Sequence, residues 1–106
     1  MARYNFSYRF KDSFKTKYHK FKKNNQNISV KLTSDAPITG QSSSRFTLRL
    51  QKRVLLVGFQ TVGTEKFPRI GTKTKVFTNL KKGHYRIVLE KSTDNITVSG
   101  SGTMWN

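Results

Sequence analysis

The stretch RYNFSYRFKDSFKTKY, residues 3–18, decides the fold, because two kinds of side chain alternate along it. Bulky side chains occupy nearly every second position, with Arg, Asn, Ser or Lys between them. A period of two is typical of a β-strand with one buried and one solvated face. The interruption at Lys11–Ser13 keeps the phase, so we expect two strands or one bulged strand. The side chains expected to face the core are Tyr4, Phe6, Tyr8, Phe10, Phe14, Thr16 and Tyr18.

The same alternation returns along the rest of the chain, between segments rich in Gly, Pro, Asn and Ser. The run Val54–Phe59 is almost continuously apolar and is predicted to be the most buried strand, after a turn at Lys52–Arg53. Residues 64–71 are predicted to form a loop or a short edge strand. Further strands are predicted over residues 27–34, 45–51, 73–80, 84–91 and 95–105, with a loop over 35–44.

No part of the chain shows the apolar spacing of a helix for long enough to predict one. Seven to nine short strands separated by regular turns indicate an all-β fold. We expect a single domain over residues 1–106, folded as an antiparallel β-sandwich, with a barrel as the alternative. The chain has no cysteine, which excludes disulfides and thiol chemistry. Its longest uncharged apolar stretch, Val54–Thr64, is about half the length that a membrane-spanning helix needs.

Charge is the strongest compositional signal, since 21 Lys and Arg face five Asp and Glu and give a formal net charge of +16. Such an excess repels itself in a folded domain and exceeds what solubility requires. It indicates an anionic partner, and many of the cations occupy outward positions of the predicted strands. The candidate polyanion-binding residues are Arg3, Arg9, Lys11, Lys15, Lys17, Lys20, Lys22, Lys23, Arg45, Arg49, Lys73, Lys75, Lys81 and Lys82.

Aromatic residues allow two interpretations. Those of residues 3–18 could stack on unpaired bases, as in proteins that bind single strands, but their alternation with charges favours the core. Phe77 and Trp105 fall out of phase with their apolar neighbours and are therefore predicted to make exposed, interfacial contacts.

Catalysis has little support in the sequence. The five carboxylates are scattered, and the only histidines, His19 and His84, are expected on solvent-facing sides of strands. A metal site needs three or four converging ligands, and the segment Gly100–Gly102 lacks the lysine and helix of a phosphate-binding loop. We expect no enzyme activity, no cofactor, no metal and no small-molecule substrate.

The segment VFTNLKKGHYRIVL, residues 76–89, resembles a closing hairpin of bacterial extracellular β-sandwiches. The segment VSGSG, residues 98–102, resembles small secreted proteins of Gram-positive bacteria, some of them bacteriocin-like. This resemblance implies a sandwich and an extracellular setting. Met1–Tyr4 lead directly into the strand pattern without a signal peptide, so a cytoplasmic protein stays open as the alternative.

Charge and resemblance together predict a cationic secreted protein that binds anionic phospholipid or a cell-wall polymer, with an antimicrobial role. A nucleic-acid-binding domain is the first alternative, since the same cations would contact phosphates. An inhibitor or accessory protein that docks on an acidic protein is the second.

Overall fold

The computed structural model describes residues 2–37 and 44–106, and within them all regular structure is β-strand. The prediction of an all-β fold without helix is confirmed for this part of the chain, while most of the predicted loop over 35–44 lies outside the described residues. The nine described strands are β1 (Arg3–Phe10), β2 (Ser13–Lys15), β3 (His19–Phe21), β4 (Gln26–Asp35), β5 (Arg45–Val54), β6 (Gly58–Pro68), β7 (Gly71–Leu80), β8 (Gly83–Glu90) and β9 (Val98–Trp105).

The strands form two antiparallel sheets that pack as a sandwich and not as a closed barrel. Sheet 1 has the order β1-β9-β4-β7, and sheet 2 has the order β2-β8-β5-β6, with β3 also paired to β8. The chain leaves sheet 1 after β1 and enters sheet 2 at β2. The bend that the sequence predicts at Lys11–Ser13 is therefore the crossing between the two layers.

Alternate side chains from both sheets build the core. Tyr8 and Phe10 of β1 are buried, and Phe10 meets Phe46 of sheet 2 edge to face with ring centroids 5.4 Å apart. Tyr4, Phe6 and Phe14 are partly buried against the same apolar cluster. The prediction that this aromatic stripe faces the core is confirmed for these five residues, and an aromatic pair of this geometry stabilises the fold beyond its buried area.

The most apolar segment is not the most buried one, so the prediction for Val54–Phe59 is wrong. Val54 pairs with Gly58 across the β5–β6 hairpin, and the turn is formed by Leu55, Leu56 and Val57. Leu55 and Leu56 are almost fully exposed, and Val57 is 75% exposed. Lys52–Arg53, predicted as a turn, lies inside β5. Apolar character alone does not distinguish a buried strand from a turn that projects beyond its sheet.

Leu56 adopts a left-handed backbone conformation, with φ at 72°. This conformation is unfavourable for a bulky side chain and tolerated by asparagine. Leu56→Asn is therefore expected to raise the free energy of unfolding by about 0.5–1 kcal/mol, measured by chemical denaturation. Leu55→Asn is the matched control, because Leu55 is not among the non-glycine residues with positive φ; an equal gain there would contradict the strain at Leu56.

Two corrections to the predicted strand phase concern the segment between β2 and β3 and the strand β7. Between β2 and β3 the alternation shifts, so His19 stacks on Tyr4 between the sheets with ring centroids 4.2 Å apart, and Tyr18 turns to the outer face of sheet 2. In β7, Phe77 is buried and Val76 is exposed, which excludes Phe77 as an interfacial contact. Phe77 keeps the phase of the strand, and its ring lies where Gly63 of β6 has no side chain.

Candidate anion-binding end

Strand register sorts the charges of this protein between the two ends of the sandwich. The starts of β1, β4, β6 and β8 and the ends of β5, β7 and β9 lie together at one end. A hydrogen bond joins the sheets there, since the Tyr4 hydroxyl of β1 donates to the Lys20 carbonyl of β3 over 2.7 Å. Gln26 of β4 donates to the Lys81 carbonyl, in the turn through which the chain passes from β7 to β8. Eight cationic residues occupy this basic end: Arg3, Lys20, Lys22, Lys23, Lys52, Arg53, Lys81 and Lys82.

The side-chain carboxylates lie towards the opposite end. Asp12 lies in the bend after β1, Asp35 and Glu90 end β4 and β8, Glu65 lies in the second half of β6, and Asp94 lies in the loop after β8. None of the five Asp and Glu residues of the chain lies at the basic end. Because charges of one sign add at one end and are offset at the other, the field outside the molecule is directional.

A cleft of about 560 Å³ opens between the start of β1 and the segment around β3. Its lining includes Arg3, Lys20, Lys22 and Lys23, and none of its described lining residues is acidic. Two further lining residues are bonded to each other, since the Ala2 amide donates to the Asn106 side chain over 2.8 Å and so ties the start of β1 to the end of β9. Four cations around one opening can contact several oxygens of a phosphate, sulfate or carboxylate group.

Arginine–aromatic stacking extends the positive surface along the outer face of sheet 2. The Arg86 guanidinium lies between the rings of Tyr18 and Phe59, 4.7 and 5.1 Å from their centroids. Arg53 lies 5.7 Å from the Tyr18 centroid, and Arg86 donates to Gln51 over 2.9 Å. Stacked guanidinium groups keep their planar edge for a ligand, which favours bidentate contacts with anionic oxygens.

His84 joins the basic end to this outer face. It pairs with Lys20 of β3, and it lines an open cavity together with Arg53 of β5. Partial burial, followed by the positive charges of Arg53 and Lys20, lowers the pKa of His84 below its ordinary value. The imidazole is therefore neutral near neutral pH, and an anion bound beside it would raise its pKa again.

The candidate residues predicted from the sequence do not share one sheet face. Trp105 lies on the outer face of sheet 1, with the Arg3 guanidinium 5.3 Å from its ring centroid. Lys73 and Lys75 lie beside Glu65, at 3.5 and 3.8 Å, so they do not form an open row. The basic end collects Arg3, Lys20, Lys22, Lys23, Lys81 and Lys82; the outer face of sheet 2 carries Lys15, Arg45 and Arg49; the outer face of sheet 1 carries Arg9; and Lys11 and Lys17 lie in exposed connections.

Sequence reasoning missed Lys52, Arg53 and Arg86 as members of this surface. Arg86 is an outward residue of β8, and the alternation along that strand was sufficient to predict its exposure to a partner. The sequence predicts a turn at Lys52 and Arg53, although Arg45, Arg49 and Arg53 share the outward phase of β5. That phase becomes visible only once β5 is known to continue to Val54.

Comparison with known proteins supports the fold. No protein-family model matches the sequence, and no curated protein matches it. Among solved structures, the chain is similar to PirA, with a TM-score of 0.55 and 12% identity over 96% of this chain and 92% of that one. It is also similar to the carbohydrate-binding module CBM36 in complex with calcium and xylotriose, with a TM-score of 0.53 and 12% identity over 97% and 98% of the two chains. At this identity the likeness shows a shared β-sandwich.

Calcium, which CBM36 holds, does not fit the side chains of this protein. No group of three or more His, Asp or Glu side chains converges in residues 2–37 and 44–106. Glu90 is bonded to Arg49 at 2.5 Å, and Asp94 is bonded to Lys91 and Arg69. A carboxylate that neutralises a cation is not free to supply the oxygen ligands that calcium needs. No helix in the described residues is long and apolar enough to cross a membrane.

Proposed function

We propose that this protein is a non-catalytic β-sandwich that attaches to anionic components of a cell surface, with its basic end directed at them. One observation carries the proposal: eight cations gather at one end of the fold, away from every Asp and Glu side chain. An anionic surface attracts that end and repels the other, so the field selects both the partner and the orientation of the domain.

The cleft between Arg3 and Lys23 and the stacked guanidinium of Arg86 supply the local contacts. The cleft takes a single anionic group, and the outer face of sheet 2 continues the contact along a polymer or a headgroup layer. Secretion by a bacterium and an antimicrobial role belong to the same proposal, supported by the sequence resemblance of residues 76–89 and 98–102 and by the basic end.

Charge reversal at the basic end tests the proposal. Lys22→Glu with Lys82→Glu lowers the net charge by four, and Arg9→Glu with Lys11→Glu lowers it equally away from that end. At low salt, the first pair is expected to weaken binding to vesicles containing phosphatidylglycerol, and to soluble poly(glycerol phosphate), on the order of 10- to 100-fold. At physiological salt, where exposed charges interact over only about 8 Å, the second pair is expected to change binding by less than about threefold.

Sedimentation of vesicles and titration calorimetry of the polymer measure these affinities, each at low and at physiological salt. Equal losses for the two double variants would show that net charge, and not the basic end, governs attachment. Tight binding to DNA or RNA by a protein that leaves both the vesicles and the polymer unbound would replace this proposal by a nucleic-acid-binding function.

A further inference from the structure

Leu55, Leu56 and Val57 form an apolar tip at the β5–β6 hairpin. All three side chains are among the most exposed large apolar groups of the described chain, and Phe59 beside them is half exposed. Single exposed apolar residues are ordinary on soluble proteins, whereas a contiguous exposed group marks an interaction site. The tip therefore requires a partner that offers an apolar environment.

The tip projects from the basic end. Lys52 and Arg53 precede it on β5, and one open cavity of about 550 Å³ is lined by Arg53, Leu55, Leu56 and His84 together with Val54 and Gly58. Lys52 also approaches Gly83, beside the Lys81–Lys82 turn. The apolar side chains lie at the end of the hairpin, and the cations surround the strands that lead to it. This order matches an anionic bilayer, in which the charged headgroups lie at the surface and the hydrocarbon lies below them.

The backbone at Leu56 adds an independent argument. Its left-handed conformation would suit glycine or asparagine, yet the position carries a large apolar side chain that is exposed to solvent. Strain that contributes nothing to folding points to a use of the side chain outside the folded domain.

We propose that the apolar tip inserts into the headgroup–acyl boundary of an anionic phospholipid bilayer, while the surrounding cations bind the headgroups. The inference rests on the proposed attachment by the basic end for its orientation, and it names the phospholipid as the partner. A second copy of the chain is a poor occupant, because tip-to-tip pairing would bring two sets of eight cations together in molecules of net charge +16.

Replacing the tip by serines tests the insertion. Leu55→Ser, Leu56→Ser and Val57→Ser together are expected to weaken binding to phosphatidylglycerol vesicles by roughly 10- to 100-fold, because the apolar surface no longer leaves water. Binding to soluble poly(glycerol phosphate) is expected to stay within about twofold of the parent, since the cations are untouched. Ile70→Ser with Val76→Ser removes exposed apolar side chains elsewhere and is the matched control.

A fluorescent label locates the tip directly. The chain has no cysteine, so Leu56→Cys gives a single site for an environment-sensitive nitrobenzoxadiazole dye. On anionic vesicles the dye is expected to brighten and shift to the blue, and a spin label placed in the acyl chains is expected to quench it. The same dye on Ser92→Cys, in the loop after β8 and away from the basic end, is expected to stay in water.

Each outcome separates this inference from the proposed function. An unshifted Leu56→Cys dye on a protein that binds the vesicles would overturn insertion and leave attachment by the cations. Binding to the polymer without any binding to vesicles would overturn the phospholipid partner, and binding to neither would overturn the proposed function itself. If the parent protein forms a dimer and the triple serine variant is a monomer, the tip binds a second copy of the chain.

Discussion

Asp94→Ala is expected to lower the melting temperature by roughly 10 to 20 °C. Asp94 accepts from Lys91 at 2.6 Å and from Arg69 at 2.7 Å, and the two cationic side chains are 0% and 1% exposed. Removing the carboxylate takes the anion from two buried ion pairs, and breaking a buried ion pair by removing one partner is strongly destabilising.

Asp12→Ala is the matched control. Its exposed carboxylate accepts only from the Thr93 hydroxyl, at 2.6 Å, among the side-chain bonds described, so a shift of about 2 °C or less is expected. Differential scanning calorimetry at neutral pH measures both variants. A small loss for Asp94→Ala would show that the cations find other partners once the carboxylate is gone.

The pH dependence of stability follows from the same carboxylate. The hydrogen bond from Lys91, reinforced by Arg69, holds the pKa of Asp94 well below its ordinary value. A carboxyl whose pKa is lower in the folded than in the unfolded chain stabilises the fold above its unfolded pKa, and the stabilisation is lost as pH falls. Between pH 7 and pH 3, Asp94→Ala is therefore expected to lose less stability than the parent; parallel losses would contradict this assignment.

Gly100→Ala is expected to destabilise the fold by about 3 kcal/mol or more, or to prevent folding. Gly100 lies in β9 between β1 and β4, where it pairs with Tyr8 and Ser34. A methyl group there would collide with the Thr33 carbonyl oxygen of the backbone and lie 2.6 Å from the Tyr8 hydroxyl. Tyr8 cannot move aside without breaking its hydrogen bonds to Thr33 and Ser34.

Ser101→Ala tests the neighbouring position, which is exposed on the outer face of the same strand. Its effect is expected to stay within about 0.5 kcal/mol. Urea denaturation of both variants gives the comparison. A Gly100→Ala protein as stable as the parent would mean that β9 and β4 can separate enough to admit a side chain.

Alternation along the first ten residues is sufficient to predict a half-buried strand there, because the burial of Tyr8 and Phe10 follows from period two alone. The sandwich is predicted from the number of such strands and the regular turns between them. Alternation failed where the phase shifts without a sequence signal, between Thr16 and His19, and where an apolar run forms a turn, at Leu55–Val57. Pairing across the sheets decides both cases, and pairing depends on contacts between residues distant in sequence.

The sequence was sufficient to predict the class of partner, but not where in the fold the binding residues come together. Net charge indicates an anionic partner, and six of the eight residues of the basic end were candidates from their positions in the sequence. Their assembly depends on the antiparallel register that brings the start of β1 beside Lys20 and the turn at Lys81. The apolar tip was not predicted, because its lack of polar residues is also the pattern that predicts a buried strand.

Lys73 and Lys75 have a further consequence for how copies of this protein behave at high concentration. They lie on β7, the outer strand of sheet 1, and share Glu65 with β6, the outer strand of sheet 2. An outer strand offers unpaired backbone groups to any passing chain, and lysines on such a strand are a common protection against intermolecular sheet extension. The lysines of this edge are therefore expected to oppose aggregation of a domain that is rich in β-strand and carries an exposed apolar turn.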